Sequence, residues 1–317
     1  MNSTNFTRIS RGWMEFRNRG TVTVAMETST LLLIGLIAIS GNLLVVISVY
    51  RNPSLRTITN YFVLSLALES ILYPTMSLPL TLVTSIKRRY VSGQSACDFQ
   101  ATVIVSLVYL TVISIALMAV NRYVRVCKPQ KYARIFNKKS ACFMLGFAWI
   151  VTFAVVTFVL KGTNMTKAMF SPRKMACLFF YRERFSLPAI LGNLCFALCL
   201  FTPLITIIFC YYKVFKKIRE HKRNIAPSST NSGLGTSIQE VKITWTLFAV
   251  LLSYLLSWIP AFVIIMVGNI FGLSALPRQV HMLVTYTVLA SSAVNPLIYG
   301  TLSPQFRNEY AKIFKIK

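Results

Sequence analysis

Acidic residues are scarce in this chain: eight Asp and Glu stand against 34 Lys and Arg in 317 residues, a formal net charge of +26. Such an excess of positive charge ordinarily points to nucleic acid. Here the basic residues lie between long apolar runs, and no stretch could fold in water as a separate basic module, which excludes that partner. Histidine is scarcer still. His221 and His281 fall near opposite faces and start neither a metal cluster nor a nucleophile–base pair, so the sequence predicts no enzyme, no metal and no cofactor. Residues 1–27 hold no apolar core of roughly 7–15 residues, so no cleavable signal peptide is expected. Alternation with a period of two is missing, which excludes a membrane barrel. No internal repeat is visible either, which weighs against many transporter architectures.

What the chain has in abundance is apolar surface: 55% of its residues are hydrophobic and 13% charged, with a mean hydropathy of +0.60. Crossing a bilayer takes about 20 mostly apolar helical residues. Seven stretches qualify, from Thr28 to Tyr50, Tyr61 to Ile86, Ala101 to Val120, Ala141 to Leu160, Leu187 to Tyr212, Ile243 to Gly268 and His281 to Leu302. Inside lipid the backbone must satisfy its own hydrogen bonds, so these runs are helices. The expected fold is an all-α membrane protein, a seven-transmembrane helix bundle over residues 28–302, with an N-terminal tail over 1–27 and a surface helix and short tail over 303–317.

An odd number of spans puts the termini on opposite sides. The sequons at Asn2, Asn5 and Asn164 all fall on the side of the N-terminus, and 20 of the 34 basic residues fall on the other, as the positive-inside tendency predicts. The expectation is a multi-pass plasma-membrane protein, glycosylated at those three positions, with its N-terminus outside. Of seven cysteines only Cys97 and Cys177 then lie in the oxidising outer layer, which predicts a disulfide between them. Cys142, Cys195, Cys199 and Cys210 read as small apolar packing residues. The small polar residues from Ala226 to Ser237 predict a flexible inner loop over about 224–238.

Short motifs recur at matching places in successive spans: Gly41-Asn42, Leu66-Ala67, Asn121-Arg122-Tyr123, Trp149, Pro203 with Tyr211, Ser257-Trp258-Ile259-Pro260, Asn295-Pro296-Leu297-Ile298-Tyr299, then Phe306. The ordered set resembles the rhodopsin-like G-protein-coupled receptors over nearly the whole chain. Asn121-Arg122-Tyr123, Lys131-Tyr132, Ile298-Tyr299-Gly300 and Phe306-Arg307-Asn308-Glu309-Tyr310 also look like melatonin receptors, a likeness confined to the cytoplasmic face. The resemblance implies a receptor that passes the binding of an extracellular ligand to a heterotrimeric G protein. The alternative class is a small-solute transporter or channel, with Glu69 as its main support.

Site residues follow from the same resemblance. Arg122, at the inner end of span three, pairs in the family with an acid beside it; that acid is Asn121 here, which leaves Glu240 at the start of span six as the carboxylate for an inactive-state lock. Trp258 corresponds to the toggle beneath the ligand pocket, with Val112, Pro203 and Tyr254 in its relay layer. Pro203, Pro260 and Pro296 also read as bends without the family, because proline removes a helix hydrogen bond and crowds the preceding turn. Tyr211 and Tyr299 close the inner cavity in the active state, and Asn295 sits beside Pro296.

At the centre of span two the family's sodium-binding Asp is Ser70. Glu69, one residue earlier and about 100° around the helix, is the one acid within a span core, an expensive placement that marks function. On that rotation Glu69 need not face the cavity of the family's Asp; Asn42, Glu69, Ser70, Thr111 and Ser291 together are the expected buried polar centre. Toward the outside, Ile104 replaces the Asp of amine receptors and Leu289 the retinal-bearing Lys of opsins, so neither a simple amine nor covalent retinal is expected. The outer segments carry 14 basic residues against Glu15, Glu27, Asp98 and Glu183, a field that favours an acidic ligand.

Overall fold

The computed structural model describes residues 12–158, 166–181, 187–224, 232–270 and 276–314. Some side chains within these ranges, Cys195 and all of 232–240 among them, lie outside the description, as do Asn2, Asn5 and Asn164. A short helix, α1 (residues 12–17), precedes α2 (Thr21–Arg51). A 3₁₀ turn (Pro53–Leu55) leads to α3 (Ile58–Lys87), followed by α4 (Gly93–Cys127), α5 (Pro129–Ile135) and α6 (Lys138–Thr157). The hairpin β1 (Thr166–Ser171) and β2 (Ala176–Tyr181) comes next, then α7 (Leu187–Asn224), α8 (Ser232–Ile270), α9 (Arg278–Leu302) and α10 (Pro304–Ile313).

Seven of these helices, α2, α3, α4, α6, α7, α8 and α9, are long and apolar enough to cross a membrane. Their outward faces carry large exposed apolar side chains such as Leu33, Leu36, Phe143, Phe147, Ile150, Ile205 and Ile208. In water such a belt would drive aggregation, whereas lipid is its natural solvent. Polar punctuation sets the helix starts: Asn137 accepts from the Ser140 N–H at the head of α6, and Thr57 accepts from the Asn60 N–H at the head of α3.

Three sequence expectations need correction. The first spanning helix begins at Thr21, inside the expected tail 1–27, because each added residue of a nucleated helix gains a backbone hydrogen bond. The same propagation carries α8 back to Ser232, into the expected loop over about 224–238; residues 225–231 lie outside the description. Cys142 and Cys199 are exposed while Cys210 is buried, since a small apolar thiol is as acceptable against lipid as inside the bundle.

The two ends of the bundle are tied differently. At the end called outer below, the hairpin is antiparallel with Phe170 opposite Cys177, and Cys177 is bonded to Cys97 across 80 residues of sequence. At the opposite end, called inner, α10 turns back along the bundle: Phe306 is buried against Tyr299 with ring centroids 5.4 Å apart, and Asn52 donates to Glu309 at 3.1 Å.

Candidate functional site: inner face, central cavity and outer mouth

At the inner end of α4, Arg122 is buried and donates through Nη2 to Thr59 Oγ1 and, at 3.2 Å, to Asn121 Oδ1. The Thr59 hydroxyl also donates to Asn121 Oδ1 at 3.1 Å, and Asn121 Nδ2 donates to the Tyr132 hydroxyl of α5 at 3.2 Å. A neutral amide therefore occupies the place of the family's acid. Hydrogen bonds to ionised partners are roughly twice as strong as neutral ones, so Asn121 restrains Arg122 less than an aspartate would. Asn121→Asp is expected to add about 1 kcal/mol of restraint and to lower agonist-free nucleotide exchange roughly fivefold; an unchanged rate would show that Asn121 does not govern Arg122. Thr59 was not singled out by sequence reasoning, because nothing in the spacing of α3 says which turn meets Arg122. The side chain of Glu240 lies outside the description.

Aromatic residues wall this face. Tyr123 lies 5.8 Å from Phe209, and the buried Tyr211 meets Phe248 at 5.4 Å and Phe215 at 6.0 Å. Tyr299 is buried, and its hydroxyl has no hydrogen-bond partner among the described residues. Such an orphan is costly where it stands and favours any arrangement that gives it a partner.

Midway through the bundle, Glu69 is 1% exposed. Its Oε1 accepts from Ser65 Oγ at 3.0 Å and Ser114 Oγ at 2.6 Å, while Trp149 Nε1 donates to Ser65 Oγ at 3.0 Å. Although about 100° apart around α3, Glu69 and Ser70 line one small cavity together with Thr111, Tyr254, Trp258, Ser291 and Asn295. The cavity lies where α3, α4, α8 and α9 converge, broad enough to meet two adjacent positions of α3. Pro74 adds to this: it has no N–H for the Ser70 carbonyl and its ring crowds that carbonyl, which loosens α3 at this level. Asn42 stands apart, donating to the Ala38 and Ser292 carbonyls at 2.8 Å each, so that it ties α2 to α9. Gly41 allows the same approach, since a Cβ there would lie 2.9 Å from Pro296 Cγ. Pro203, Pro260 and Pro296 stand inside α7, α8 and α9, Val112 is buried in α4, and the Tyr254 and Trp258 rings are 5.6 Å apart.

Of the residues that hold the outer mouth, the sequence reading counts Arg19, Glu27 and Arg278 only as charges and passes over Gln100, Ser77 and Thr81. Cys177 N–H donates to Gln100 Oε1 at 3.0 Å, and Gln100 Nε2 donates to the Ser77 carbonyl at 2.9 Å and to Thr81 Oγ1 at 3.1 Å, linking hairpin, α4 and α3. Glu27 near the head of α2 takes Arg278 of α9 on both carboxylate oxygens, at 2.5 and 2.8 Å, and Arg19 on Oε2 at 2.5 Å. All three are buried. Burial pulls the Arg19 guanidinium below its ordinary range, opposed by its hydrogen bond to Glu27. Ile104 and Leu289 are buried and apolar.

Known proteins resemble this chain. The family model described as 7 transmembrane receptor (rhodopsin family) matches residues 41–299. The chain is 27% identical to the histamine H2 receptor of Rattus norvegicus over 298 residues, covering 93% of this chain and 80% of that one. It is 28% identical to the melatonin receptor type 1A of Phodopus sungorus over 281 residues, with 87% and 76% covered. Against the adenosine receptor A3 of Canis lupus familiaris the identity is 30% over 287 residues, with 90% and 89% covered. Squid rhodopsin has the same fold, with a TM-score of 0.81 at 21% identity over 94% of this chain and 83% of that one.

Proposed function

Since the chain belongs to the rhodopsin family of seven-transmembrane receptors, we propose that it sits in the plasma membrane with its N-terminus outside and carries signals through Arg122 to a heterotrimeric G protein. It is a multi-pass membrane protein and a G-protein-coupled receptor, and the family implies an extracellular ligand. The transporter reading is not favoured. The observation that carries the role of Arg122 is its position: a buried guanidinium at the inner end of α4, held by two neutral oxygens that can release it without breaking an ion pair to either of them.

In this reading the ligand selects the state in which the inner end of α8 moves outward. The bends at Pro203, Pro260 and Pro296 and the Tyr254–Trp258 pair relay that movement from the central cavity. Tyr211 and the orphaned hydroxyl of Tyr299 then close on the opened inner face. Glu240, near the inner end of α8, completes the resting lock. Cleavage or group transfer has no place in this scheme, and neither does a cofactor. The ligand is proposed to be acidic, on the strength of the basic outer layer. Ile104 and Leu289 supply neither the carboxylate that holds an amine nor the amine that holds retinal, which argues against a simple amine despite the sequence likeness to a histamine receptor.

Nucleotide exchange on a panel of purified G proteins, with the chain in nanodiscs, tests the scheme without a ligand. The wild type or Glu240→Ala should accelerate exchange on at least one subtype, with Glu240→Ala the faster. Arg122→Ala should reduce that rate to the receptor-free level. Acceleration that survives in Arg122→Ala would refute the assigned role.

A further inference from the structure

The segment before the first spanning helix is folded into the outer mouth. Phe16 is 0% exposed and packs among Leu31 of α2, Leu78 of α3, Met175 of the hairpin tip, and Met282 and Leu289 of α9. Trp13 and Phe170 extend this seat, with centroids 5.9 and 5.7 Å from Phe16. Three residues on, Arg19 folds back: its Nε donates to the Phe16 carbonyl at 2.9 Å and its guanidinium carbon lies 4.1 Å from the centre of the Phe16 ring. The same guanidinium reaches Glu27 at 2.5 Å and the Ser85 carbonyl of α3 at 3.0 Å. One aromatic ring and one guanidinium thus touch α2, α3, α9 and the hairpin at once.

The seat is also tied together by contacts that do not involve the segment that fills it. Arg278 holds Glu27 from the opposite side, so the carboxylate is oriented by α9 whether or not Arg19 is present. Met175 adopts a left-handed backbone conformation, φ +52°, which a non-glycine residue adopts only where its surroundings impose it. That conformation places its sulfur 3.0 Å from Arg278 Nη2 and 3.5 Å from Arg19 Nη1. A thioether, an oriented carboxylate and an apolar wall converge on one space, as a ligand site requires.

We infer that the seat formed by Glu27, Leu31, Leu78, Met175, Arg278 and Met282 is a peptide-binding site for an aromatic residue followed three positions later by arginine, filled in cis by Phe16 and Arg19. The inference goes beyond the coupling role and does not depend on it. Because Gly20 is the sole residue between Arg19 and α2, the segment faces its seat at an effective concentration of roughly millimolar or more. An external ligand reaching this side of the mouth must outcompete it. The seat discriminates by chemistry: the ring needs the apolar wall, the guanidinium needs Glu27, and a peptide with only one of them forfeits half of the contacts.

The probe is a fluorescent nonapeptide spanning residues 12–20. In nanodiscs, the full chain carrying Phe16→Ala and Arg19→Ala together should bind it saturably, and the wild type at least tenfold more weakly because its own segment competes. Peptides with Phe16→Ala or Arg19→Ala should each lose at least tenfold on the vacated seat. Equal binding to the two chains, or equal binding of the three peptides, overturns the inference and reduces the contact to adhesion of a basic peptide to the bilayer. Should the double variant fail to fold, the wild type decides: excess peptide must speed deuterium exchange in residues 12–20 several-fold. No change there also overturns it. Neither readout uses a G protein, so a failure here leaves the coupling scheme standing, and a failure of coupling leaves this site standing.

Discussion

The Glu27→Ala variant is expected to lose about 3 kcal/mol of stability, near the lower end of the ~3–5 kcal/mol for breaking a buried ion pair from one side. Glu27 is the shared partner of two buried guanidiniums, and removing it leaves like charges facing each other across the mouth. The full penalty is not reached because Arg19 sits on a segment that can withdraw into water. Arg278 cannot do so, being fixed at the first turn of α9. Arg19→Ala should therefore cost much less, since it leaves the Glu27–Arg278 pair intact with both carboxylate oxygens occupied. Thermal unfolding of both variants in nanodiscs checks the order. A Glu27→Ala chain as stable as Arg19→Ala would mean that Arg278 finds water or another acceptor, and the triad would lose its structural importance.

Loss of the bond between Cys97 and Cys177 should be of similar size. A cross-link over 80 residues is worth roughly 4–5 kcal/mol in the chain-entropy model for a chain that unfolds into water. Here the unfolded reference keeps its helices inserted and has less freedom to lose, so about 2 kcal/mol is expected. The consequence is local as well as global. Releasing Cys177 frees the hairpin whose tip inserts Met175, whose Lys174 carbonyl accepts from Thr285 at 2.7 Å, and whose Arg173 donates to the Leu276 carbonyl at 3.0 Å. Cys97→Ser and Cys177→Ser should each reduce surface delivery, and the double variant should be no worse than either alone, because one bond is lost in all three. Additive losses in the double variant would show that the two thiols act separately.

These expectations sit unevenly between sequence and structure. The seven spans were legible because crossing lipid is a requirement on run length, and run length is a local property of the chain. The pairing of Cys97 with Cys177 was legible because topology left no other candidates on the outer side. Arg122, Glu69 and the prolines Pro203, Pro260 and Pro296 stood out because each is an anomaly within an apolar run. Trp258 and Ser70 stood out only through the resemblance to the family, which places a toggle at one and an acid at the other.

What the sequence could not decide was how each helix is rotated and bent against its neighbours. Helical periodicity defines a face but not the partner of that face. Glu69 and Ser70 share a cavity because four helices converge there and Pro74 loosens α3. Arg122 meets Thr59 through the approach of α3, and Cys142 and Cys199 face outward through the orientation of α6 and α7. The outer mouth is the extreme case, with Glu27 and Arg278 paired across 251 positions and Phe16 seated among residues of three helices and a hairpin. The sequence by itself determined that this chain crosses a membrane seven times and carries a receptor's motifs, because those depend on local runs and residue types. Tertiary structure alone decided which charges meet and what fills the mouth, because contacts between distant segments depend on packing geometry that no local pattern encodes.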